Sequence, residues 1–357
     1  MDLRKRCKQL ASMLAPNKLD ALVVTSAPNV RYLSGFTGDN GALLVSAGST
    51  TLFTDPRYEI QAAGETGCKV IVARGPLLER LMAEARRKRL RRLGFERDRI
   101  SYREFQTLDE NRAPGARLDP VVGAVEQLRC LKDPGEVALI RHSMQIAVRA
   151  FEQAAGCVRS GMTEADLAAE LDHRMRTGGA EASSFETIVA AGRRSALPHA
   201  RPSRAPIKEG QLVLIDMGAL ADGYASDMTR MLHLGEPSRK VRQMYAAVLE
   251  AQMAAIEAVR PGVPAATVDR VARRTLRRYG FDRLFVHSTG HGVGLEIHEG
   301  PRLGRTSQDT LETGMVVTIE PGVYLAGFGG IRIEDTVVVT SNGAEVLTQL
   351  SKQLRIL

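Results

Sequence analysis

Aromatic residues make up only 4% of this 357-residue chain, and that scarcity bears first on its +8 net charge. The densest basic run, Arg86-Arg87-Lys88-Arg89-Leu90-Arg91-Arg92, has no aromatic residue within it on which a base could stack. It therefore reads as a solvated helix end, not as a nucleic-acid site. Cysteine is sparse as well. The four residues, at 7, 68, 130 and 157, show no CxxC spacing, so they read as free thiols of a reducing compartment and not as metal ligands. Nor is there a run of about 18 apolar residues, and the basic start MDLRKRCKQLASMLAPN lacks a continuous apolar core of signal-peptide length. A cytoplasmic protein without a membrane span is expected. What remains is ordinary globular composition, 44% hydrophobic and 25% charged, in a chain long enough to favour two domains.

The informative residues are five: Asp216, Asp227, His291, Glu320 and Glu334. The aspartates sit in two apolar runs, LVLIDMG (212–218) and YASDMTRML (224–232), separated by the turn-like ALADG. A hairpin looping through 220–223 places opposite each other residues whose numbers sum to 443, which makes Asp216 and Asp227 cross-strand partners. Directly opposed side chains have Cβ atoms roughly 4.5–5.5 Å apart, and like charges there destabilise the pair. Something positive is needed between them. Glu320 in MVVTIEPG (315–322) and Glu334 in GIRIEDTVVV (330–339) repeat the arrangement around the Gly-rich loop VYLAGFGG. One aspartate in an apolar strand is ordinarily a strand-end or capped residue. Four carboxylates in matching contexts, joined by TGHGVGLEIHEGP (289–301) with His291 among glycines that let the backbone pass close to a ligand, point to an oxygen-rich site for two divalent cations.

Along the chain, residues 1–129 alternate short β-rich runs (19–26, 41–46, 51–55, 69–73) with amphipathic helices at Leu3–Leu14 and Leu77–Leu90, which implies a small open α/β layer. Lys132-Asp133-Pro134-Gly135 breaks the pattern and opens sustained helical periodicity; the domains are expected at 1–129 and 134–357. Thr163-Glu-Ala-Asp166 resembles a capping box, residues 183–192 read as a strand, and long helices are expected at 238–259 and 265–279. Asp172 and His173 are expected to be exposed.

The order Asp, eleven residues to Asp, His in GHGVG, Glu in IEPG and Glu in RIED resembles the dinuclear pita-bread metallopeptidases: methionyl aminopeptidases, aminopeptidase P and prolidase. The segments GFTG (35–38) and TDPRY (54–58) resemble the creatinase-type N-terminal domain of the proline-specific branch. The resemblance implies an α/β creatinase-like N-terminal domain and an α+β pita-bread catalytic domain whose halves are related by a pseudo-twofold axis. It further implies that Asp216 chelates one metal, Asp227 and Glu334 bridge both, and His291 and Glu320 bind the other, Glu320 also accepting the proton of the attacking water. His199 in ALPHARPS and His298 in HGVGLEIH match the family's non-ligand histidines, which steady the tetrahedral intermediate and the scissile amide. His287 in HSTGHG is typical of the proline-specific branch. Arg332, two residues from Glu334 and so on the same strand face, is expected to hold a carboxylate, either a ligand's or the substrate's. Ala200, where relatives often carry glycine, and Pro56 depart from the pattern without touching an expected ligand.

The implied activity is cleavage of an N-terminal residue from a following proline. Such a tertiary amide lacks an N–H and has a cis population of about 5–30%, so enzymes that require that N–H fail on it. The cofactors expected are two divalent ions, Mn²⁺ or Co²⁺ ahead of Zn²⁺ or Fe²⁺, and the partners are peptides with proline second, with no nucleic acid, no membrane and a homodimeric assembly. The N-terminal segments favour aminopeptidase P-like action on longer peptides. The alternatives are a strict Xaa-Pro dipeptidase (prolidase), a methionyl aminopeptidase-like enzyme, and a non-catalytic pita-bread binding protein.

Overall fold

The computed structural model describes residues 2–357, and the chain divides into two compact units, Met1–Arg129 and Cys130–Leu357. The first is built on six strands: β1 (Ala21–Val24), β2 (Gly41–Ser46), β3 (Ser49–Thr54), β4 (Lys69–Val72), β5 (Arg92–Glu96) and β6 (Arg117–Val121). They lie in the order β4-β3-β2-β1-β5-β6. The β1–β2 and β2–β3 pairs are antiparallel and the outer pairs are parallel. The helix Leu77–Arg87 buries Leu78, Leu81, Met82 and Ala85, a 3-1-3 spacing that puts one apolar stripe against Phe53 and Leu93 of the sheet. β5 and β6 are absent from the sequence reading because RRLGFE and RLDPV carry charges and a proline that mask their strand character.

That basic run spans the end of this helix, a turn and the start of β5. Three of its cations already have partners: Arg87 pairs with Glu84 at 2.6 Å, Arg92 with Asp119 at 3.1 Å, and Lys88 donates to Ser49. No helix of the described residues is long and apolar enough to cross a membrane.

The second unit repeats one order of elements twice. Helices Pro134–Ala155 and Glu164–Thr177 precede a set of strands, and helices Arg239–Glu257 and Ala265–Arg278 precede another. Both helices of the first pair begin with full capping boxes, Asp133/Glu136 with Pro134 at the first turn and Thr163/Asp166; each cap residue contributes about 1 kcal/mol. In the first half the strands are β7 (Ala182–Ser183), β8 (Ile188–Ala191), β9 (Leu212–Met217), β10 (Ala219–Ala221), β11 (Tyr224–Ala225) and β12 (Met228–His233). The expected strand over 183–192 is thus two short strands. In the second half they are β13 (Gly290–Gly292), β14 (Glu299–Leu303), β15 (Val316–Ile319), β16 (Gly322–Leu325), β17 (Gly329–Arg332), β18 (Asp335–Val339) and β19 (Ala344–Val346). Each half has its own apolar core, one around Leu167, Leu171, Val213 and Ile215, the other around Val248, Leu276, Val317 and Val337.

Each half also contains a hairpin whose ladder is interrupted part-way. β9 pairs with β12 and β10 with β11; β15 pairs with β18 and β16 with β17. The register of the first differs from the expected one. Asp216 faces Thr229, and Leu220 faces Ala225, so facing numbers sum to 445. The reason is the turn. Asp222 and Gly223 both have positive φ, 50° and 74°, and so form a two-residue loop of the kind that matches strand twist. Because the slip is two residues, Asp216 and Asp227 stay on the same face but are offset, avoiding direct opposition. In the second hairpin the sum is 654 on both sides of the break, which leaves Glu320 level with Glu334.

The glycines flanking His291 serve the sheet. A Cβ on Gly290 would lie 1.8 Å from the Thr318 carbonyl oxygen, and one on Gly292 would lie 2.0 Å from that of Gly300. Their neighbours are backbones of adjacent strands, not open space for a ligand. Gly290→Ala is accordingly expected to cost about 3 kcal/mol or prevent folding, whereas Gly64→Ala, in a helix with nothing within 4 Å, is expected to be neutral or stabilising by up to about 1 kcal/mol. Urea unfolding of the two variants checks the contrast.

Candidate metal centre

The interrupted hairpins and the His291 strand converge on one cavity of about 700 Å³ in the second unit. Its lining includes every residue singled out from the sequence: Asp216, Asp227, His291, Glu320, Glu334, His199, His298, His287 and Arg332. The breaks in the ladders are what turn the carboxylates inward. The Glu334 N–H leaves its own hairpin and donates to Thr229 of the other at 3.2 Å, and the Glu320 N–H donates to Thr289 at 2.7 Å.

Ligand atoms of Asp227, His291 and Glu334 all lie within 4.8 Å of one another. His291 Nδ1 is 2.9 Å from the Gly292 carbonyl oxygen, which can only accept, so Nδ1 carries the hydrogen. In the neutral ring this leaves Nε2 with a free lone pair, 3.4 Å from Asp227 Oδ2 and 3.7 Å from Glu320 Oε1. Lone pair against carboxylate is a repulsive arrangement unless a cation lies between them. Asp216 offers a second sign of the same kind. Its Oδ2 accepts from Arg332 at 2.5 Å, while its Oδ1 is buried with no partner, a costly state for a carboxylate oxygen.

Crowding shows in the proton affinities. Burial first, and then the charges of Asp216 and Glu320, push Asp227 well above the usual carboxylate range. Burial and then Asp227, Glu320 and Asp216 do the same to Glu334. Glu320 is pushed up to about 6, burial being the main cause. One arginine does not balance four carboxylates, three buried and Glu320 partly so. The donor set, oxygen-dominated with one imidazole, fits hard to borderline divalent ions.

Arg332 is fully engaged. Besides Asp216 it donates to Thr229 at 3.1 Å, the Pro198 carbonyl at 3.2 Å and the Tyr324 hydroxyl at 2.6 Å. Its carboxylate partner is therefore Asp216. Tyr324 lies 2.8 Å from His287 Nε2, and His287 Nδ1 is 2.8 Å from the Ser288 carbonyl oxygen. The directions follow: Arg332 donates to Tyr324, Tyr324 to His287, and His287 to Ser288. Burial and then Arg332 lower His287 to about 4, consistent with a neutral ring, so its 3.9 Å approach to Glu320 is no ion pair. The His298 ring stacks edge-on against His291 with centroids 4.4 Å apart, and burial followed by His291 and His199 lowers its proton affinity.

Two participants escaped the sequence reading. Thr229 donates to Glu334 Oε2 at 2.7 Å; its position two residues after Asp227 in an extended run was a usable signal. Tyr324 was hidden in the segment read as a glycine-rich loop, which in fact holds β16 and the start of β17. A Cβ on Gly322 would lie 2.5 Å from the Tyr324 hydroxyl, so that glycine makes room for it.

Residues 138–341 match the profile of metallopeptidase family M24, and residues 6–131 match the Creatinase/Prolidase N-terminal domain. The chain belongs to metallopeptidase family M24. Among M24 relatives, the Xaa-Pro dipeptidase of Pyrococcus furiosus is 37% identical over 99% of this chain and 100% of its own. The structure of an Xaa-Pro dipeptidase from Bacillus anthracis superposes with a TM-score of 0.97 at 38% identity, covering 100% of both chains. An X-Pro aminopeptidase structure from Thermotoga maritima gives 0.91 at 36% identity over 95% of this chain and 98% of that one. The creatinase-like plus pita-bread architecture expected from the sequence is thus established.

The raised carboxylates have a consequence for stability. Their folded-state affinity for protons exceeds that of the unfolded chain, so without metal the folded state binds more protons and loses stability as pH rises through those values. Metal binding replaces those protons. The gain in melting temperature on adding Mn²⁺ is expected to be larger at about pH 8 than at about pH 5; thermal melts of stripped and reloaded protein check this, and a larger gain at the lower pH would contradict it.

Proposed function

We propose that this chain is a metal-dependent Xaa-Pro dipeptidase in which Asp216, Asp227, His291, Glu320 and Glu334 hold two divalent ions. The observation that carries the metal assignment is the gathering of four carboxylates in one cavity, with Asp227, Glu320 and Glu334 close to the free Nε2 of His291. Ions bound there would supply acidification of water and polarisation of the scissile carbonyl. Glu320, with its affinity raised to about 6, is suited to take the proton of the attacking water near neutral pH. His298 and His199 donate hydrogen bonds to charge developing on the substrate, a contribution often worth about 3 kcal/mol. His287 and Tyr324 orient Arg332, which holds Asp216 in place.

The sequence favoured aminopeptidase P-like action on longer peptides; support now lies with the dipeptidase alternative. The names of the Pyrococcus furiosus and Bacillus anthracis relatives favour it, although the Thermotoga maritima structure is of an aminopeptidase. The cavity adds a physical argument. Arg332 is consumed by Asp216 and Arg201 is paired with Glu186 at 3.4 Å, whereas Arg302 lines the cavity near enough to His298 to disfavour its protonation. A cation at that wall suits the free carboxylate of a C-terminal proline, which a dipeptide has and a longer peptide lacks at that position.

Ala-Pro, Ala-Pro-Ala and Met-Ala-Ala, offered to stripped and then Mn²⁺-reloaded protein, separate the readings. Ala-Pro is expected to be cleaved after reloading, and Ala-Pro-Ala poorly. Equal cleavage of both would restore the aminopeptidase reading, and cleavage of Met-Ala-Ala alone would reject proline specificity. Arg302→Gln is expected to raise KM for Ala-Pro about tenfold or more, the loss of a charge-assisted bond of about 1.5–3 kcal/mol, with a smaller change in kcat.

A further inference from the structure

One buried ion pair of the second unit takes no direct part in the peptidase reading. Lys132, just before the helix Pro134–Ala155, places its Nζ 2.9 Å from Glu299 Oε2, and the two side chains are 1% and 5% exposed. Such a pair costs both ions their hydration and is weak evidence of stabilisation by itself, so the informative point is what the carboxylate holds. Glu299 Oε1 accepts the Glu296 N–H at 3.1 Å. Gly294 passes so close that a Cβ there would lie 2.7 Å from Oε2 and 2.8 Å from Oε1. The carboxylate therefore lies against the backbone of residues 293–298, the loop joining β13 to β14.

That loop carries His298. Its start is fastened independently: the Val293 N–H donates to the Val316 carbonyl at 3.1 Å, the Ala225 N–H donates to the Gly294 carbonyl at 2.8 Å, and Val293 is buried. Towards its far end the packing is lighter. Leu295 and Ile297 are only partly buried, and His298 is exposed, its ring meeting His291 edge-on. The residue that follows His298 is Glu299.

We propose that Lys132 and Glu299 are positioning residues: Lys132 fixes the Glu299 carboxylate, which clamps the 293–298 loop through the Glu296 N–H and so sets where His298 stands against the substrate. The proposal rests on the reading of His298 as a donor to charge developing there. An ammonium on one carboxylate oxygen fixes the orientation in which the other faces the loop. Definite placement matters because an error of about 1 Å at a reacting group can cost about a hundredfold in rate.

Variants assayed on the full-length, Mn²⁺-loaded protein separate positioning from bulk stability. Lys132→Met/Glu299→Leu leaves no charge of the pair unpaired and is expected to fold and bind Mn²⁺ as wild type does, yet to lose kcat about tenfold or more with KM changed less than about threefold. Lys132→Met/Glu299→Gln keeps an acceptor for the Glu296 N–H and is expected to recover kcat to within about threefold of wild type. In a His298→Ala background the apolar double variant is expected to cost less than about twofold, because the residue it positions is gone. Amide exchange followed by mass spectrometry on the metal-free proteins reads the clamp without activity: the 293–298 peptide is expected to exchange about tenfold faster in the apolar double variant than in wild type. Should that variant not fold, Gly294→Ala, whose methyl displaces the carboxylate, takes its place with the same expectations. Ala-Pro is the substrate, or Ala-Pro-Ala should wild type prefer it; a wild type that cleaves neither fails the peptidase reading, while the exchange comparison still judges the clamp. Unchanged kcat in the apolar double variant, a loss that persists undiminished without His298, or unchanged exchange would overturn the proposal.

Discussion

Four carboxylates gathered in one cavity repel one another, and most of the second unit can be understood as the means of holding them there. Arg332 offsets one of them by pairing with Asp216. Thr229 tethers another, giving its hydroxyl to Glu334 while its backbone carbonyl accepts the Glu334 N–H. Arg230 reinforces that junction from behind. It donates to the Glu334 carbonyl at 2.6 Å and pairs with the fully buried Asp335, which Lys352 and Gln252 also satisfy. The unbalanced charge is thus concentrated where the two hairpins meet, and a bound cation would recover it as binding energy.

Duplication explains how one chain builds such a meeting point. A hairpin supplies two inward residues at the point where its ladder is interrupted, and two helix-pair-plus-hairpin halves supply four. The break is necessary because a continuous ladder would spend the backbone groups of Glu334 and Glu320 within their own hairpin. Interrupted, the Glu334 N–H reaches across to Thr229 and joins the halves, while the Glu320 N–H goes to Thr289 beside His291.

The site was more legible in the sequence than the fold around it. Isolated carboxylates in β-branched runs are conspicuous because apolar strands exclude charge, and Arg332 was visible through simple alternation with Glu334. The hairpin register was misjudged because the turn was centred within ALADG, although Asp-Gly is a strong two-residue turn signal; the error of two residues preserved the face and so preserved the site. β5 and β6 were missed because their sequences look like loop. Tyr324 and Thr229 escaped because neutral polar residues in strands carry no compositional mark; their roles arise from tertiary neighbours, the guanidinium of Arg332 above all.

The central claim is that these carboxylates are a cation site. Anomalous diffraction from crystals grown with Mn²⁺ tests it most directly. Two peaks are predicted within the cavity, sharing ligands among Asp216, Asp227, His291, Glu320 and Glu334. An empty cavity, or manganese bound only outside it, would contradict the claim and leave the crowding of four acids without its physical explanation.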